Sequence, residues 1–357
     1  MSAGPLLVTG FPGFLGARLV ASLVQRDTNA RVIALVESSM ADKARQTAGG
    51  LDGGERIEVL AGDITDSRLG VDDDDYGRLT GQVSGVFHLA AVYDLAVPLE
   101  VAQEVNVEGT GNVLDFCARA ESLTRLNYVS TAFVAGLREG GVYEHELALG
   151  QGFKNHYEST KFQAEMWVRH AMQRFPTTIY RPAIVVGDSK TGETAKFDGP
   201  YYLLRMISRL RRGRMPLAQV GSDAPFNVVP VDLVVDGITA VSDDPESIGE
   251  TLHLVDPEPL SSRELFEGLA EEYAGRRPKL ALPPAATDAA LRFGPMRRAL
   301  DGIPRESLIY LTHDVRFDAR RAGELLDRHG LRCPRLREYL PTLVEFFRAH
   351  EDDSAYT

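Results

Sequence analysis

The stretch Leu6-Leu7-Val8-Thr9-Gly10-Phe11-Pro12-Gly13-Phe14-Leu15-Gly16 decides the fold of this chain. Its first residues form an apolar run that predicts a short buried strand, and an amphipathic helix is predicted to begin at Phe14. A glycine turn between a strand and a helix holds the pyrophosphate of a dinucleotide at the positive end of the helix. Gly10 permits the tight turn, Gly13 lets the phosphates approach the backbone, and Gly16 allows close packing of helix on strand. Because the spacing is GxxGxxG and not GxGxxG, a purely structural turn is the alternative interpretation.

Short β-branched segments alternate with longer helical segments in the first half of the chain, which is typical of βαβ units. The predicted strands are Leu6–Thr9, Arg31–Glu37, Arg56–Ala61, Gly85–Leu89, Leu126–Ser130 and Thr178–Val186. The predicted helices are Phe14–Arg26, Ser39–Ala48, Leu99–Ala120 and His156–Arg174. This order predicts an α/β protein with a Rossmann-type, doubly wound parallel sheet, whose ligands bind at the carboxyl ends of the strands.

The pattern changes after Gly187, where an Arg-rich amphipathic helix, Tyr201–Arg212, precedes several short helical segments. We therefore predict a dinucleotide-binding domain over residues 1–187, with a segment near 226–256 returning to it. Residues 188–357 are predicted to form a smaller, mixed and mostly helical substrate-binding lobe. The four consecutive carboxylates of Asp72–Asp75 are expected to lie in a solvated loop, because no helix or turn pattern converges them on a metal ion.

Acidic residues follow two of the predicted strands. Glu37 ends the second strand, about 20 residues past the glycine turn, where it is expected to bind the ribose hydroxyls of adenosine. A carboxylate at this place repels a 2′-phosphate, so Glu37 favours NADH over NADPH. Lys43 and Arg45 lie just beyond and are the alternative, as cations that bind a 2′-phosphate. Asp63 follows the third strand and is expected to reach the adenine, with turn formation as its alternative role.

Tyr157 and Lys161 lie four residues apart on a predicted helix, so both side chains project from one face. An ammonium beside a phenol favours the phenolate, which predicts a pKa of Tyr157 lowered from about 10 toward working pH. Such a tyrosine gives a proton to a developing alkoxide. Thr131 follows the fifth predicted strand, where its hydroxyl is expected to hold the substrate oxygen. Ser130 is the alternative, because strand alternation lets only one of the two face the crevice.

Two further polar residues are candidates for a catalytic role. His88 ends a predicted buried strand and is expected to pack against the cofactor crevice. Asn106 either supports the backbone of the active site or is an ordinary polar residue of its helix. The HExxH spacing of zinc enzymes is absent around His145, Glu146 and His156, so no metal site is predicted.

The composition disfavours several classes of protein. The chain has 357 residues, 44% of them hydrophobic, and a formal charge of −12, which disfavours a nucleic-acid partner. No apolar stretch approaches the roughly 18 residues of a membrane span, and the amino terminus lacks the pattern of a signal peptide. Cys117 and Cys333 are too few for a disulfide framework. We therefore expect a cytoplasmic protein without an integral membrane segment.

Motifs over nearly the whole chain resemble those of the extended short-chain dehydrogenase/reductases. These motifs are Thr9–Gly16, Asp63, Phe87-His88-Leu89-Ala90-Ala91, Asn106-Val107-Glu108-Gly109-Thr110, Ser130-Thr131-Ala132, the Tyr157/Lys161 pair and Arg181-Pro182. The resemblance implies that Thr131, Tyr157 and Lys161 form the catalytic set, with Lys161 also holding the nicotinamide ribose. The cofactor-binding residues are then expected to be Gly10, Gly13, Phe14, Leu15, Gly16, Glu37, Asp63, Ile64, Ala90, Lys161 and Pro182.

Within that family the sequence is most similar to the fatty acyl-CoA reductases and to the thioester reductase domains of carboxylic acid reductases and peptide synthetases. The similar segments are Gly62-Asp63-Ile64-Thr65, Asn155–Glu165, Tyr180–Ser189, Thr191-Gly192-Glu193 and Asp198-Gly199-Pro200-Tyr201-Tyr202. The resemblance implies an NAD(P)H-dependent reductase of acyl thioesters or aldehydes. It also implies NADPH, although those reductases usually carry a basic residue in place of Glu37. We expect the thioester to arrive on coenzyme A or on a separate acyl carrier protein.

The Arg-rich helix is a candidate for binding that carrier. Arg205, Arg209, Arg211, Arg212 and Arg214 lie on or beside Tyr201–Arg212. Guanidinium groups match the geometry of phosphate, so they are suited to coenzyme A or to an acidic carrier protein. A solvated helix face is the alternative interpretation.

Other functions fit the same residues. A ketone or alcohol oxidoreductase of the hydroxysteroid or dihydroflavonol type uses the same catalytic groups on a different pocket. A sugar-nucleotide epimerase shares the core of the fold. A dinucleotide sensor without catalysis is expected to lack the Tyr157/Lys161 pair, which this chain retains.

Overall fold

The computed structural model describes residues 4–94, 96–213, 217–278, 280–281 and 305–356. The strands are β1 (Leu6–Thr9), β2 (Val32–Val36), β3 (Ile57–Ala61), β4 (Gly85–His88), β5 (Arg125–Val129), β6 (Gly140–Val142), β7 (Thr177–Pro182), β8 (Ile184–Val186), β9 (Ala218–Gln219), β10 (Val228–Pro230), β11 (Thr251–Leu254), β12 (Leu280–Ala281) and β13 (Val315–Phe317). The α-helices are α1 (Phe14–Arg26), α2 (Ala41–Gly49), α3 (Asp73–Gln82), α4 (Leu99–Ala102), α5 (Gly109–Arg119), α6 (His156–Ala171), α7 (Tyr201–Arg212), α8 (Val231–Val241), α9 (Ser262–Ala274), α10 (Arg305–Leu308), α11 (Arg320–Arg328) and α12 (Leu336–His350).

The central sheet has seven parallel strands in the order β11-β7-β5-β4-β1-β2-β3. This confirms the predicted doubly wound sheet. The strand order reverses between β1 and β4, and a sheet of this kind binds its ligand at the carboxyl ends of the strands beside such a reversal. The last strand, β11, comes from the segment 226–256, for which a return to the sheet was predicted.

Three predicted elements differ from the structure. The single strand predicted over 178–186 is divided, because Pro182 has no N–H to continue the ladder and Ile184–Val186 pairs with β10 instead. The predicted loop at Asp72–Asp75 is the start of α3. Asp72 caps that helix by accepting the Asp75 N–H at 2.8 Å, and acidic side chains are favourable at the positive end of a helix. The long helix predicted over 99–120 is interrupted by a π-helical turn, Gln103–Glu108.

The apolar side chains of the described residues form three buried clusters. Two of them lie on the central sheet and its flanking helices, around Val8 and Leu126 respectively. The third is built mainly from α7, α9 and α12, around Phe197 and Phe347. Within the described residues, no helix combines the length and the apolar character that crossing a membrane requires.

Candidate active site

A cleft of about 1540 Å³ runs along the carboxyl ends of β1, β2, β3, β4, β5 and β7. Its wall includes all the residues predicted for catalysis and for cofactor binding: Gly10, Gly13, Phe14, Leu15, Gly16, Glu37, Asp63, Ile64, Ala90, Thr131, Tyr157, Lys161 and Pro182. Parallel strands present their carboxyl ends at one edge of a sheet, which is why residues from the ends of six strands meet here.

The glycine turn is shaped to admit a phosphate group. Gly10 has a φ of +91°, and a Cβ on it would lie 2.9 Å from the backbone nitrogen of Ala90. A Cβ on Gly16 would lie 2.3 Å from the carbonyl oxygen of Gly10, so only glycine lets α1 approach the turn this closely. Helix α1 begins at Phe14 with no side-chain cap and no acidic residue in its first turn. Its positive end therefore faces the cleft without a competing anion, which fits the pyrophosphate of a dinucleotide.

The end of the cleft where adenosine is expected to bind carries acids and no cation among its described wall residues. Glu37 follows β2, is exposed, and accepts a hydrogen bond from Ser39 Oγ at 2.8 Å. Asp63 accepts hydrogen bonds from the backbone N–H and the hydroxyl of Thr65, both at 2.8 Å. Lys43 and Arg45 do not line the cleft, and Arg45 pairs with Asp42 at 2.9 Å.

The structure distinguishes Thr131 from Ser130. Ser130 also lines the cleft, but its buried hydroxyl is engaged by Glu165, to which it donates at 2.7 Å. Thr131 ends the extended segment, lines the cleft, and its Oγ1 accepts the Phe133 N–H at 3.3 Å. Tyr157 lines the same cleft, and the Thr131 side chain acts to lower the pKa of Tyr157, against the effect of burial. Two hydroxyls thus converge on one point of the cleft, where they are able to bind a carbonyl oxygen together.

The pKa of Tyr157 is shifted in the opposite direction from the prediction. Burial raises the pKa of Tyr157 to about 12, and the Thr131 side chain opposes this only in part. The expected lowering by Lys161 is wrong because the ammonium is engaged elsewhere. Lys161 Nζ donates to the Tyr128 hydroxyl and to the Val129 carbonyl, both at 2.9 Å. Tyr157 is therefore a neutral phenol at ordinary pH, which is the form that donates a proton.

The pKa of Lys161 is itself lowered. Burial brings the pKa of Lys161 down to about 7, because an ammonium out of water loses its solvation, and Glu165 on the next turn of α6 opposes the shift. Lys161 thus gains or loses its charge near neutral pH.

The comparisons with known proteins agree with this geometry. A family model described as Male sterility protein, an NAD-binding family, matches residues 8–238. The chain belongs to this family. It is related to NAD(P)-dependent reductases of the extended short-chain dehydrogenase/reductases, as its motifs predicted.

Three relatives illustrate the range of the family. The terminal R domain from the myxalamid PKS-NRPS biosynthetic pathway has a crystal structure that matches with a TM-score of 0.83 at 28% identity, over 100% of this chain and 93% of that one. The nonribosomal peptide synthetase asaC of Aspergillus flavus is 26% identical over 72% of this chain and 26% of its own length. Fatty acyl-CoA reductase wat of Drosophila melanogaster is 27% identical over 52% of this chain and 41% of its own length. The chain therefore spans less than half of these two curated relatives.

Sequence reasoning assigned no role to the buried charges beside Lys161 and Ser130. Glu165 accepts hydrogen bonds from Arg181 at 2.6 and 3.0 Å and from Arg169 at 3.0 Å, besides the one from Ser130. Arg181 also contacts His253 of β11 at 3.1 Å. The spacing of Tyr157, Lys161 and Glu165, four residues apart each time, is the signal that places Glu165 on the catalytic face of α6.

His88 and Asn106 have structural roles. His88 is buried and lies between the hydroxyls of Thr9 at 2.7 Å and Thr110 at 3.0 Å, and burial lowers its pKa to about 3, so it stays neutral. Asn106 binds both the N–H and the carbonyl of Val92, at 2.8 and 3.1 Å. It thereby holds the backbone of a loop that lines the cleft, which is the first of its two predicted roles.

Three arginines of α7 bind other parts of the chain, which corrects the phosphate interpretation for them. Arg205 donates to the carbonyl of Tyr356, Arg211 donates to that of Tyr273, and Arg212 pairs with Glu351 and Asp352. Arg214 lies outside the described residues. The opposite, apolar face of α7 lines the cleft through Leu203, Met206 and Leu210. The described residues contain no grouping of His, Cys, Asp or Glu side chains suited to a metal ion.

Proposed function

We propose that the protein reduces an acyl thioester, or the corresponding aldehyde, with a nicotinamide cofactor bound along the glycine turn. The observation that carries this proposal is that Thr131, Tyr157 and Lys161 line the same cleft as the glycine turn. The likeness to a terminal R domain over 93% of that chain supports a thioester substrate. The similarity to a fatty acyl-CoA reductase supports the same chemistry on a second type of carrier.

The residues have separate tasks in this reaction. Thr131 and Tyr157 bind the carbonyl oxygen and stabilise the negative charge that develops on it. Tyr157, as a neutral phenol, donates its proton to that oxygen. The cofactor supplies the hydride. We assign Lys161 to the nicotinamide ribose, whose hydroxyls its ammonium is able to bind, as the resemblance of the motifs implies.

The product then depends on the group bonded to the carbonyl carbon. A thioester that has gained hydride and proton is a thiohemiacetal, which expels the thiol and leaves an aldehyde. A second round on the same residues reduces the aldehyde to an alcohol. The cleft beyond Tyr157 is walled by large side chains, among them Tyr93, Tyr202, Phe226 and Tyr310, which suits an apolar acyl chain.

A direct assay tests the proposal. The purified chain is offered NADH or NADPH with dodecanoyl-CoA, with dodecanal and with a bulky cyclic ketone, and cofactor oxidation is followed by its absorbance. Turnover with the thioester or the aldehyde supports the proposal. Turnover with the ketone alone assigns the protein to the ketone and alcohol oxidoreductases instead.

Glu37 predicts a preference for NADH. Its carboxylate lies where an adenosine 2′-phosphate would be placed, and no described cation lines that end of the cleft. We expect Glu37→Gln to lower KM for NADPH by about tenfold and to change KM for NADH far less, since a partly screened repulsion is removed. Asp52→Asn, an exposed acid that does not line the cleft, is the matched control. An unchanged NADPH KM would show that Glu37 does not select the cofactor.

The two shifted pKa values predict an unusual pH profile. Activity needs the ammonium of Lys161, whose pKa is about 7, and the phenol of Tyr157, whose pKa is about 12. We expect kcat/KM to fall as the pH rises through about 7, in a profile measured from mildly acidic to alkaline buffer. A rate that falls only in strongly alkaline buffer would instead assign the titration to Tyr157.

The free energy of unfolding changes with pH in the opposite direction, because the folded state holds the Lys161 proton less tightly than the unfolded chain. Below about pH 7 Lys161 therefore destabilises the fold by the cost of burying its ammonium. This cost declines as the pH rises from about 7, the pKa in the folded state, to 10.5, the ordinary pKa of lysine.

A further inference from the structure

A buried group of polar side chains, the Lys154 cluster, lies beside the proposed catalytic tyrosine. It comprises Lys154, Asn155, Glu158 and Tyr310. Lys154 and Glu158 form an ion pair with an N–O distance of 3.1 Å, and both side chains are 0% exposed. The Tyr310 hydroxyl donates to Glu158 Oε1 at 2.6 Å and accepts from Asn155 Nδ2 at 3.0 Å. Because burying two charges costs solvation energy, stability alone is a weak reason for such a pair.

The cluster holds the turn that follows Thr131. Lys154 Nζ donates to the carbonyl of Gly136 at 2.5 Å, at the end of the 3₁₀ turn Ala132–Ala135. The same ammonium lies 5.8 Å from the ring centroid of Phe133. Thr131 immediately precedes this turn and caps it through the Phe133 N–H. The position of the Thr131 hydroxyl is therefore tied to Lys154.

The cluster also holds the start of the helix that carries Tyr157. Asn155 Oδ1 accepts the Glu158 N–H at 2.9 Å and so caps α6. Glu158 Oε2 accepts the backbone N–H of Lys154 at 3.0 Å. These two bonds form a closed loop of contacts around Tyr157, which lies between the capping residue and Glu158. They fix the backbone of the first turn of α6, from which the Tyr157 side chain projects.

Tyr310 connects both parts to the wall of the cleft. It lies in the turn Ile309–Leu311, more than 150 residues further along the chain, and its side chain lines the cleft. Its ring packs edge-on against Phe133 with the ring centroids 5.2 Å apart. One phenol thus contacts the segment of Thr131, the helix of Tyr157 and the substrate space.

We propose that Glu158 and Tyr310 are positioning residues, which set the Thr131 hydroxyl against the Tyr157 hydroxyl and align both with the substrate wall. This inference rests on the proposed function, because the oxygen that the two hydroxyls bind belongs to the proposed substrate. Neither residue exchanges a proton with the substrate. Their effect is on geometry, and small displacements of reacting groups are costly in rate.

Tyr310→Phe tests the proposal with little disturbance, since only the hydroxyl is lost. We expect kcat with NADH and dodecanal to fall about tenfold, while the Kd of NADH stays within about twofold of wild type. Tyr339→Phe is the matched control, because Tyr339 is also buried in the C-terminal part and its hydroxyl has no hydrogen-bond partner among the described residues. A kcat of Tyr310→Phe equal to that of the control overturns the proposal.

A second readout does not depend on turnover. Amide hydrogen exchange over residues 131–137 and 155–161 is expected to be faster in Tyr310→Phe than in wild type and in Tyr339→Phe. Unchanged exchange overturns the positioning role, even if kcat falls, because the hydroxyl would then act by direct contact. If the wild type reduces none of the offered carbonyl compounds and Tyr310→Phe still exchanges faster, the positioning role is supported and the proposed function is rejected. The failure of the proposed function is thus distinguishable from the failure of the positioning proposal.

A double variant without either buried charge tests the cluster with less risk of unfolding the protein. Lys154→Met with Glu158→Gln removes both buried charges together and leaves neither unpaired. We expect kcat to fall about tenfold or more, and adding Tyr310→Phe to lower it little further, because residues of one network are not additive. The proposal is contradicted if kcat of the triple variant falls by the product of the fold-decreases measured for Tyr310→Phe and for the double variant.

Discussion

Tyr157→Phe is expected to lower kcat by about 10² to 10⁴, the range typical for removing a positioned general acid. The ring stays in its buried position, so the fold and the Kd of the cofactor should remain close to wild type. The loss falls on kcat because the hydroxyl is needed when negative charge develops on the substrate oxygen. The measurement is steady-state turnover of dodecanal, together with cofactor binding by fluorescence quenching.

Tyr202→Phe is the control for this variant. Tyr202 also lines the cleft, and its loss of a hydroxyl should change kcat by no more than about threefold. If Tyr157→Phe retained most of its turnover, Tyr157 would not be the acid and Thr131 alone would have to hold the oxygen. A Tyr157→Phe protein that binds cofactor but no longer turns over, beside an active wild type, also excludes a sensor without catalysis.

Lys161→Met is expected to lower kcat by roughly 10² to 10³, comparable to removing one donor from a preorganised charged site. The substitution removes the hydrogen bonds to the Tyr128 hydroxyl and the Val129 carbonyl, together with the positive charge of the ammonium. The pH dependence near 7 should disappear from the residual activity, since burial places the pKa of Lys161 there.

Stability separates the catalytic effect of this change from a structural one. The lowered pKa means that the folded protein holds the Lys161 ammonium at a cost, so the apolar methionine should not reduce the melting temperature at neutral pH. Lys196→Met, on an exposed lysine of the cleft wall, is the control and should retain normal turnover. A Lys161→Met protein that melts much earlier than wild type would show that the lysine stabilises the fold.

Much of the fold was predictable because its signals are local. The glycine turn needs only the residues between Thr9 and Gly16, and the alternation of strands and helices repeats over short windows. The errors lie where a local pattern had a competing explanation. Four aspartates looked like a loop, but Asp72 is a helix cap, and acids at the positive end of a helix stabilise it.

The sequence predicted residues that line the cleft, but it did not predict their electrostatics. The four-residue spacing puts Tyr157 and Lys161 on one face of α6, but it does not say that Lys161 will bind Tyr128 instead of Tyr157. Burial is a property of the assembled structure, so the rise in the pKa of Tyr157 and the fall in that of Lys161 had no signal in the sequence.

The sequence alone determined the doubly wound sheet, through the alternation of strands and helices. It also determined the glycine turn and the shared helix face of Tyr157 and Lys161, because each depends on residues within one turn or one helix. Only the tertiary structure decided that Thr131 faces the cleft while Ser130 binds Glu165, and that Arg205 and Arg212 of α7 bind the C-terminal segment. It alone brought Tyr310 to Glu158 across more than 150 residues. The physical reason is that hydrogen bonds and burial depend on distance in space, and residues far apart in the chain become neighbours only when the sheet, the helices and the C-terminal elements pack together.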